Sequence, residues 1–527
     1  MKYLYGAAVQ GIQKFIFQTN ELKDIVGASE LVENICTTLF AKLLYGKDTN
    51  ESVKQLETDP NAIINAAGNI KYIFDDETLC KKIVREFPKC VVSYAPGITV
   101  SQAVVQMEDN SFKTAINELE SRLRAQRNKP MSSTTIGLMG TLRSRKTGLP
   151  VVAVEDGKED FLDAATFAKR YHKLPDGKKR KRTTKQLCCK AFGRTDLKAD
   201  PEYINDSEIA YDINKITYKN DWIAVIHADG NGLGQVVQKI GSEETEFKTF
   251  SKNLDKATTE AAVMAYDDIK SCYKWGKVIP IRPIVLGGDD FTVICRADIA
   301  IDYVAAFIRH FEENTEKYLG STLTEKGVFT EGKDTNKLTA CAGIAYIKSS
   351  FPFYYGYELA EALCSRAKKD AKSDKNVQEG KALPPSCIMF HKIQDSFVNS
   401  YDEIVERELT PCENISFEFG PYYLDEDAAK SKGRWTIDKL IKESCKLDSK
   451  EGNAVKSSLR TWMGLLHDNP EMAEQKLKRI KEIASENMRS YIEAVTKGET
   501  KNGDIARKVI PVYDILAIHT INTQETK

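Results

Sequence analysis

The chain has 527 residues, 42% of them hydrophobic, and its 76 basic residues are balanced by 76 acidic ones. That length allows several domains of roughly 100–200 residues each, and the apolar content excludes a disordered chain. The cancelled charge excludes binding of nucleic acid through a broad basic surface, although a local basic groove stays compatible with it.

Four blocks follow in chain order. The N-terminal "MKYLYGAAVQGIQKFIF" reads as a first strand rather than a signal peptide. Residues 1–115 mix strand-like runs ("AIINAAGNIKYIF", "ITVSQAVVQM") with amphipathic helices, the last of which, "DNSFKTAINELESRLRAQ", runs on into the next block. Residues 116–215 are the least regular and carry the basic run "GKKRKRTTK". Residues 216–395 alternate strand and helix: strand "WIAVIHAD", helix "SKNLDKATTEAAVMAYDDIKSCYKW", hairpin "IRPIVLGGDDFTVICRAD", helix "IAIDYVAAFIRHFEENTEKYL", strand "LTACAGIAYIK", helix "YYGYELAEALCSRAKKDAK" and strand "SCIMFHKI". The strands are continuous apolar runs, as expected where helices cover a sheet. Residues 396–527 read as mostly helical.

The first and third blocks share a weak repeat. Gly68 falls on Gly288 at a shift of 220, which sets Asn69 opposite Asp289 and Ile70 opposite Asp290. Gly11 falls on Gly230 at a shift of 219, which sets Gln10 opposite Asp229. The reading is a duplicated unit whose first copy has lost its acids.

Asp229 ends a predicted strand, and Asp289 with Asp290 occupies a tight turn between two others. If these strands are neighbours, three carboxylates meet at one edge. Their mutual repulsion calls for raised pKa values or a divalent cation, and hard oxygen donors suit Mg²⁺ or Mn²⁺. Gly287 and Gly288 let a phosphate approach the backbone. Gly230, Gly232 and Gly234 open the next helix, where backbone N–H groups receive phosphates. Two metal ions on three aspartates are the equipment of nucleotidyl transfer. Lys368 and Lys372, four apart on one helix face, supply cations for a triphosphate.

"LGGDDF" resembles the palm of the large subunit of type III CRISPR effector complexes, a family related to GGDEF-type diguanylate cyclases. "YGAAVQGIQKFIFQTNELKDIVGASELV", "NAAGNIKYIF", "ADGNGLGQ", "CAGIAYIKSSFPFYYGYELAEALCSRAKK" and "IPVYDILAI" extend the likeness over most of the chain. The resemblance implies an α+β fold of two ferredoxin-like palm domains plus helical domains. It implies a degenerate first palm and a second palm that joins ATP 3′ to 5′ into a cyclic oligoadenylate. By this carry-over Asp229, Asp289 and Asp290 are catalytic, and with the Gly230 carbonyl they hold two Mg²⁺ or Mn²⁺ ions. Gly230, Asn231, Gly232, Gly287, Gly288, Lys348, Lys368 and Lys372 bind nucleotide. The implied partners are nucleoside triphosphates, CRISPR effector subunits with guide and target RNA, and a second copy of the chain.

Two readings compete: a nucleotide-binding scaffold subunit without turnover, and a stand-alone cyclic dinucleotide synthase using ATP or GTP. The family's HD nuclease and zinc site are not expected. The only His-Asp dipeptide is His467-Asp468, and Asp468 or Asn469 fits the cap of a helix beginning near Pro470. Of the twelve cysteines only Cys188-Cys189 stands between the palms. No apolar stretch nears the ~20 residues that span a bilayer, and the scattered cysteines read as reduced thiols of a cytoplasmic protein.

Overall fold

The computed structural model describes residues 1–527 except 47–48, 67, 108–111, 130–138, 156–159, 174–177, 183, 218–220, 241–242, 331–335, 395–399, 502–506 and 524–527. The fold is α+β, and one unit occurs twice. The first copy runs β1 (Lys2–Gln10), α1 (Leu22–Asn34), β2 (Ala62–Ala66), β3 (Asn69–Phe74), α2 (Glu77–Tyr94), β4 (Thr99–Met107) and α3 (Phe112–Arg127). Its sheet has the order β2-β3-β1-β4. The run "AIINAAGNIKYIF" is thus a hairpin of two strands. Helix α3 packs over β1 and β4, with Leu4, Val105, Leu119 and Leu123 in a small core of their own. The helix that crosses residue 115 thus packs on the first sheet along its length.

The second copy runs β5 (Trp222–Gly230), α4 (Glu244–Cys272), β6 (Ile281–Gly287), β7 (Asp290–Arg296), α5 (Ala300–Glu325), β8 (Ala340–Lys348) and α6 (Phe353–Ala371). The order β6-β7-β5-β8 repeats the first sheet, and β9 (Cys387–Lys392) and β10 (Tyr422–Tyr423) extend it. Side chains alternate across a strand, so β5 sends Val225, His227 and Asp229 to one face and Ala224, Ile226 and Ala228 to the other. Helix α6 covers the first face; α5 covers the second, where Phe291 stacks on Phe307 at 3.9 Å between centroids.

The strand registers replace the repeat alignment read from the sequence. In the second sheet Asp229 lies opposite Asp290, and Gly287 pairs with Asp290 across the turn. In the first sheet Ala8 lies opposite Asn69, and Ala66 pairs with Asn69. One shift of 221 satisfies both pairs, so Ala8, Gly68 and Asn69 stand where Asp229, Asp289 and Asp290 stand. Gln10 and Ile70 drop out of the comparison. Gly11 then matches Gly232, and both take positive φ, 68° and 78°.

The connecting block docks on the first palm. Arg170 forms a buried ion pair with Asp24 of α1, and Gly27 admits the carbonyl of Lys169, which would lie 2.0 Å from a Cβ there. The basic run is divided: Lys178, Arg180 and Lys181 are exposed, whereas Arg182 and Lys185 turn inward and are buried. Arg182 Nε donates to the Ala168 carbonyl at 3.0 Å.

The C-terminal block includes α7 (Lys450–Asp468) and α8 (Val512–Thr523). It is less uniformly helical than expected, because Ile415–Ser416, Glu499–Lys501 and Arg507–Val509 form a small sheet. Asn469, as expected, caps the helix Pro470–Ile483, accepting from Met472 N at 3.1 Å. Buried Asp514 of α8 accepts from Tyr422 Oη at 2.6 Å. Burial pushes its carboxyl up to about 7. A raised acid pKa means that the native state holds an extra proton between ~4 and ~7, so its stabilisation is present at the acid end and lost as pH rises through 7. Wild type should lose up to ~1.4 kcal/mol per pH unit more than Asp514→Asn across that window in denaturant melts. Parallel stability curves for the two proteins would refute this.

Candidate active site

The acidic cluster sits where β5 ends and the β6–β7 hairpin turns. The hairpin is held from outside. Thr258 of α4 donates its hydroxyl to the Gly288 carbonyl, Lys190 donates to the Leu286 carbonyl at 3.2 Å, and Ser29 of the first palm donates to the Ile284 carbonyl. These bonds satisfy carbonyls of the turn and of β6, which is the edge strand of the sheet among the described residues. Gly288 has φ of 63° with open space where a Cβ would stand, so the turn needs glycine and leaves room in front of it.

Asp289 and Asp290 are each pushed up to about 7. Burial is the largest cause for both; for Asp289 the hydrogen bond and charge of Asp229 come next, and for Asp290 the charge of Asp229. Asp290 keeps 43% of its side chain exposed, yet its Oδ1 is buried without a hydrogen-bond partner. That atom lies 3.5 Å from His227 Nδ1, a ring also 3.1 Å from Thr292 Oγ1. Burial holds the His227 pKa below its ordinary value, which favours a neutral ring.

Lys368 of α6 reaches the cluster. Its ammonium donates to Asp229 Oδ2 and, at 2.9 Å, to the Gly230 carbonyl. Burial works against this charge, but Asp229 outweighs it and the pKa stays above the usual lysine value. Lys372 is exposed at the C-terminal cap of α6, and the contact with Asp229 is made by Lys368.

Three expectations are corrected. Lys348 pairs with Trp222 in the register that pairs Cys341 with Asp229, so it lies seven strand positions from the acids, about 23 Å away. Antiparallel strands carry the end of β8 away from the end of β5. Asn231 turns inward: it is 1% exposed and donates to Thr339 Oγ1 at 3.1 Å and Cys341 Sγ at 3.3 Å. At Gly232 a Cβ would meet Phe329 Cζ at 2.8 Å, so protein packing, not a ligand, accounts for that glycine. At Gly230 a Cβ would meet the Asp289 Cβ at 2.9 Å, which explains why the two acids approach so closely.

Sequence reasoning missed Glu361, Tyr357 and His227. Tyr357, Glu361, Cys364 and Lys368 follow each other at four-, three- and four-residue steps, one stripe of α6 facing β5. Glu361 adds negative charge beside Asp290 and His227. Tyr357 meets His227 edge-on at 5.7 Å, stacks on Phe17 at 4.4 Å and accepts from Gln13 Nε2 at 2.9 Å, joining the first palm to the cluster. His227 stands two residues before Asp229 on the same strand face, which is the signal that was available. The first palm fills the matching place with hydrocarbon. Gly6 corresponds to His227, and a Cβ there would meet Leu119 Cδ2 at 2.8 Å.

Among the described residues no three acidic, histidine or cysteine side chains gather tightly enough to form a ligand shell. The donors nevertheless fit a hard divalent cation. They are the Gly230 carbonyl and three carboxylates, two of them with raised pKa and one, Asp290, with an orphan Oδ1. The Lys368 ammonium already supplies a positive charge at Asp229 and Gly230.

Residues 222–377 match the family model of the Cas10/Cmr2 second palm domain. No curated protein matches the chain. A chain of the Csm1–Csm4 cassette in complex with cA3 is similar at 13% identity and a TM-score of 0.50, with 99% of this chain and 69% of that chain covered. The apo Csm1–Csm4 cassette is similar at 13% identity and a TM-score of 0.49, with 99% and 70% covered. Csm1 in T.onnurineus is similar at 15% identity and a TM-score of 0.43, with 99% and 69% covered.

Proposed function

We propose that this chain, whose residues 222–377 carry a second palm domain of the Cas10/Cmr2 family, is the large subunit of a type III CRISPR effector complex and a nucleotidyltransferase. Its product is a cyclic oligoadenylate made from ATP. The observation that supports this best is the register that sets Asp229 beside Asp290 with Asp289 at the adjoining turn. The cA3 named for the similar cassette supports adenine as the base.

Asp229, Asp289, Asp290 and the Gly230 carbonyl would hold two divalent cations, which when bound activate a 3′-hydroxyl and neutralise the leaving pyrophosphate. The chain's own residues do the rest. Lys368, held on α6, is the cation nearest the acids. It is placed to exchange its bond with Asp229 for one with a triphosphate, and so to orient that group. His227 stands beside Asp290, its Nδ1 3.5 Å from Asp290 Oδ1. The open space before Gly288 admits the nucleotide to the backbone, beside Gly287 at the strand end. Lys372, exposed at the end of α6, extends the positive charge towards solvent.

One observation favours the scaffold reading: Asp229 is already neutralised by Lys368, and no ligand shell is gathered among the described residues. The deciding experiment incubates the chain, alone and with effector subunits, guide RNA and target RNA, with each labelled nucleoside triphosphate and Mg²⁺ or Mn²⁺. Cyclic products from ATP are expected. Products from GTP only would overturn the adenylate assignment, and none under any condition would leave the scaffold.

A further inference from the structure

A cavity of about 1090 Å³ lies between the far end of the second sheet and helices α7 and α8. Its size is at the upper end for small-ligand sites. The sheet contributes Lys348 and Lys392, whose ammoniums sit 4.4 and 4.6 Å from the centre of the Trp222 ring. Helix α7 contributes Arg460, whose Nη2 is steadied by Thr520 Oγ1 at 2.6 Å. Among the described lining residues the one carboxylate is Glu408, which already faces the Arg407 guanidinium at 3.2 Å. The remaining wall is mixed: Ile393, Met463 and Leu516 supply apolar surface, and Gln394 and His467 stand among the polar groups.

Cations gathered in a half-buried space repel one another. Lys392 records this: burial, then Arg460 and Lys348, pull its ammonium down to about 8. A polyanion would relieve the repulsion, and lysine and arginine are the groups that bind phosphate. The apolar surface beside them suits a flat base. The cavity stands about 23 Å from Asp229, at the opposite end of the strand.

We propose that this cavity is a second, non-catalytic nucleotide site. It takes a phosphate-bearing nucleotide, with the phosphates against Lys348, Lys392 and Arg460 and the base against Ile393, Met463 and Leu516. Nothing in it depends on the activity proposed above. With no carboxylate set of its own, this site holds its ligand without metal, whereas the acidic cluster calls for cations.

The test titrates ATP into the full chain in EDTA, read by calorimetry and by Trp222 fluorescence. One ATP should bind and change the emission, and the change should vanish in Trp222→Phe. Lys392→Glu with Arg460→Glu should weaken binding at least about tenfold, and Asp289→Asn with Asp290→Asn should leave it unchanged. If the charge reversal disturbs the circular dichroism spectrum, Lys392→Gln with Arg460→Gln serves instead. No ATP binding in EDTA, or unaltered binding in these cavity variants, would overturn the site. Tripolyphosphate binding as tightly as ATP would overturn its assignment to a nucleotide.

Discussion

Replacing Asp289 and Asp290 together by alanine should lower the proposed nucleotidyl transfer by at least ~1000-fold, roughly 4 kcal/mol of transition-state stabilisation. The reason is electrostatic. Both carboxyls are pushed up to about 7 by burial and by Asp229; on the proposed function a bound cation would relieve this, and without these oxygens nothing would place that charge at the reacting phosphate. The melting temperature should hold or rise, because the variant removes repelling acids from the native state. A rate within tenfold of wild type, in protein shown to be folded, would place the chemistry elsewhere.

Gly343→Val should be the most destabilising single change near the site. Gly343 lies on β8 opposite His227, on the face that α6 covers. A Cβ there would meet the Ala360 carbonyl at 2.0 Å and the Cys364 amide at 2.5 Å. Backbone cannot step aside as a flexible side chain does, so α6 must lift from the sheet, taking Glu361 and Lys368 with it. We expect more than ~4 kcal/mol of destabilisation, seen as insoluble protein or a melting temperature lowered by ~10 °C. Gly234→Ala, where a Cβ meets nothing within 4 Å, should be neutral to stabilising by up to ~1 kcal/mol. Similar melts for the two variants would contradict the packing account.

The second palm was legible because its strands are buried on both faces and read as unbroken apolar runs between capped or charged helices. That Asp229, Asp289 and Asp290 meet at one edge was legible from a strand end and a turn, and Lys368 joins them there. Less local features escaped. A one-residue slip moves every side chain to the other face, and two glycine landmarks could not distinguish shifts of 219 and 220 from the observed 221; only pairing of Ala8 with Asn69 settles it. Lys348 was misplaced because a strand's direction in its sheet decides which end meets the acids. Asn231, expected to bind nucleotide, donates instead to Thr339 and Cys341, each more than a hundred residues away. The docking of the connecting block rests on the Asp24–Arg170 pair, which no local pattern announces.

The central claim is metal-dependent nucleotidyl transfer at Asp229, Asp289 and Asp290. The most direct measurement is ³¹P NMR of ATP incubated with the protein, its complex partners and Mg²⁺. Pyrophosphate should appear together with 3′–5′ phosphodiester signal, and both should vanish in EDTA and in the Asp289→Ala, Asp290→Ala variant. Orthophosphate with ADP instead, or pyrophosphate undiminished in that variant, would contradict it.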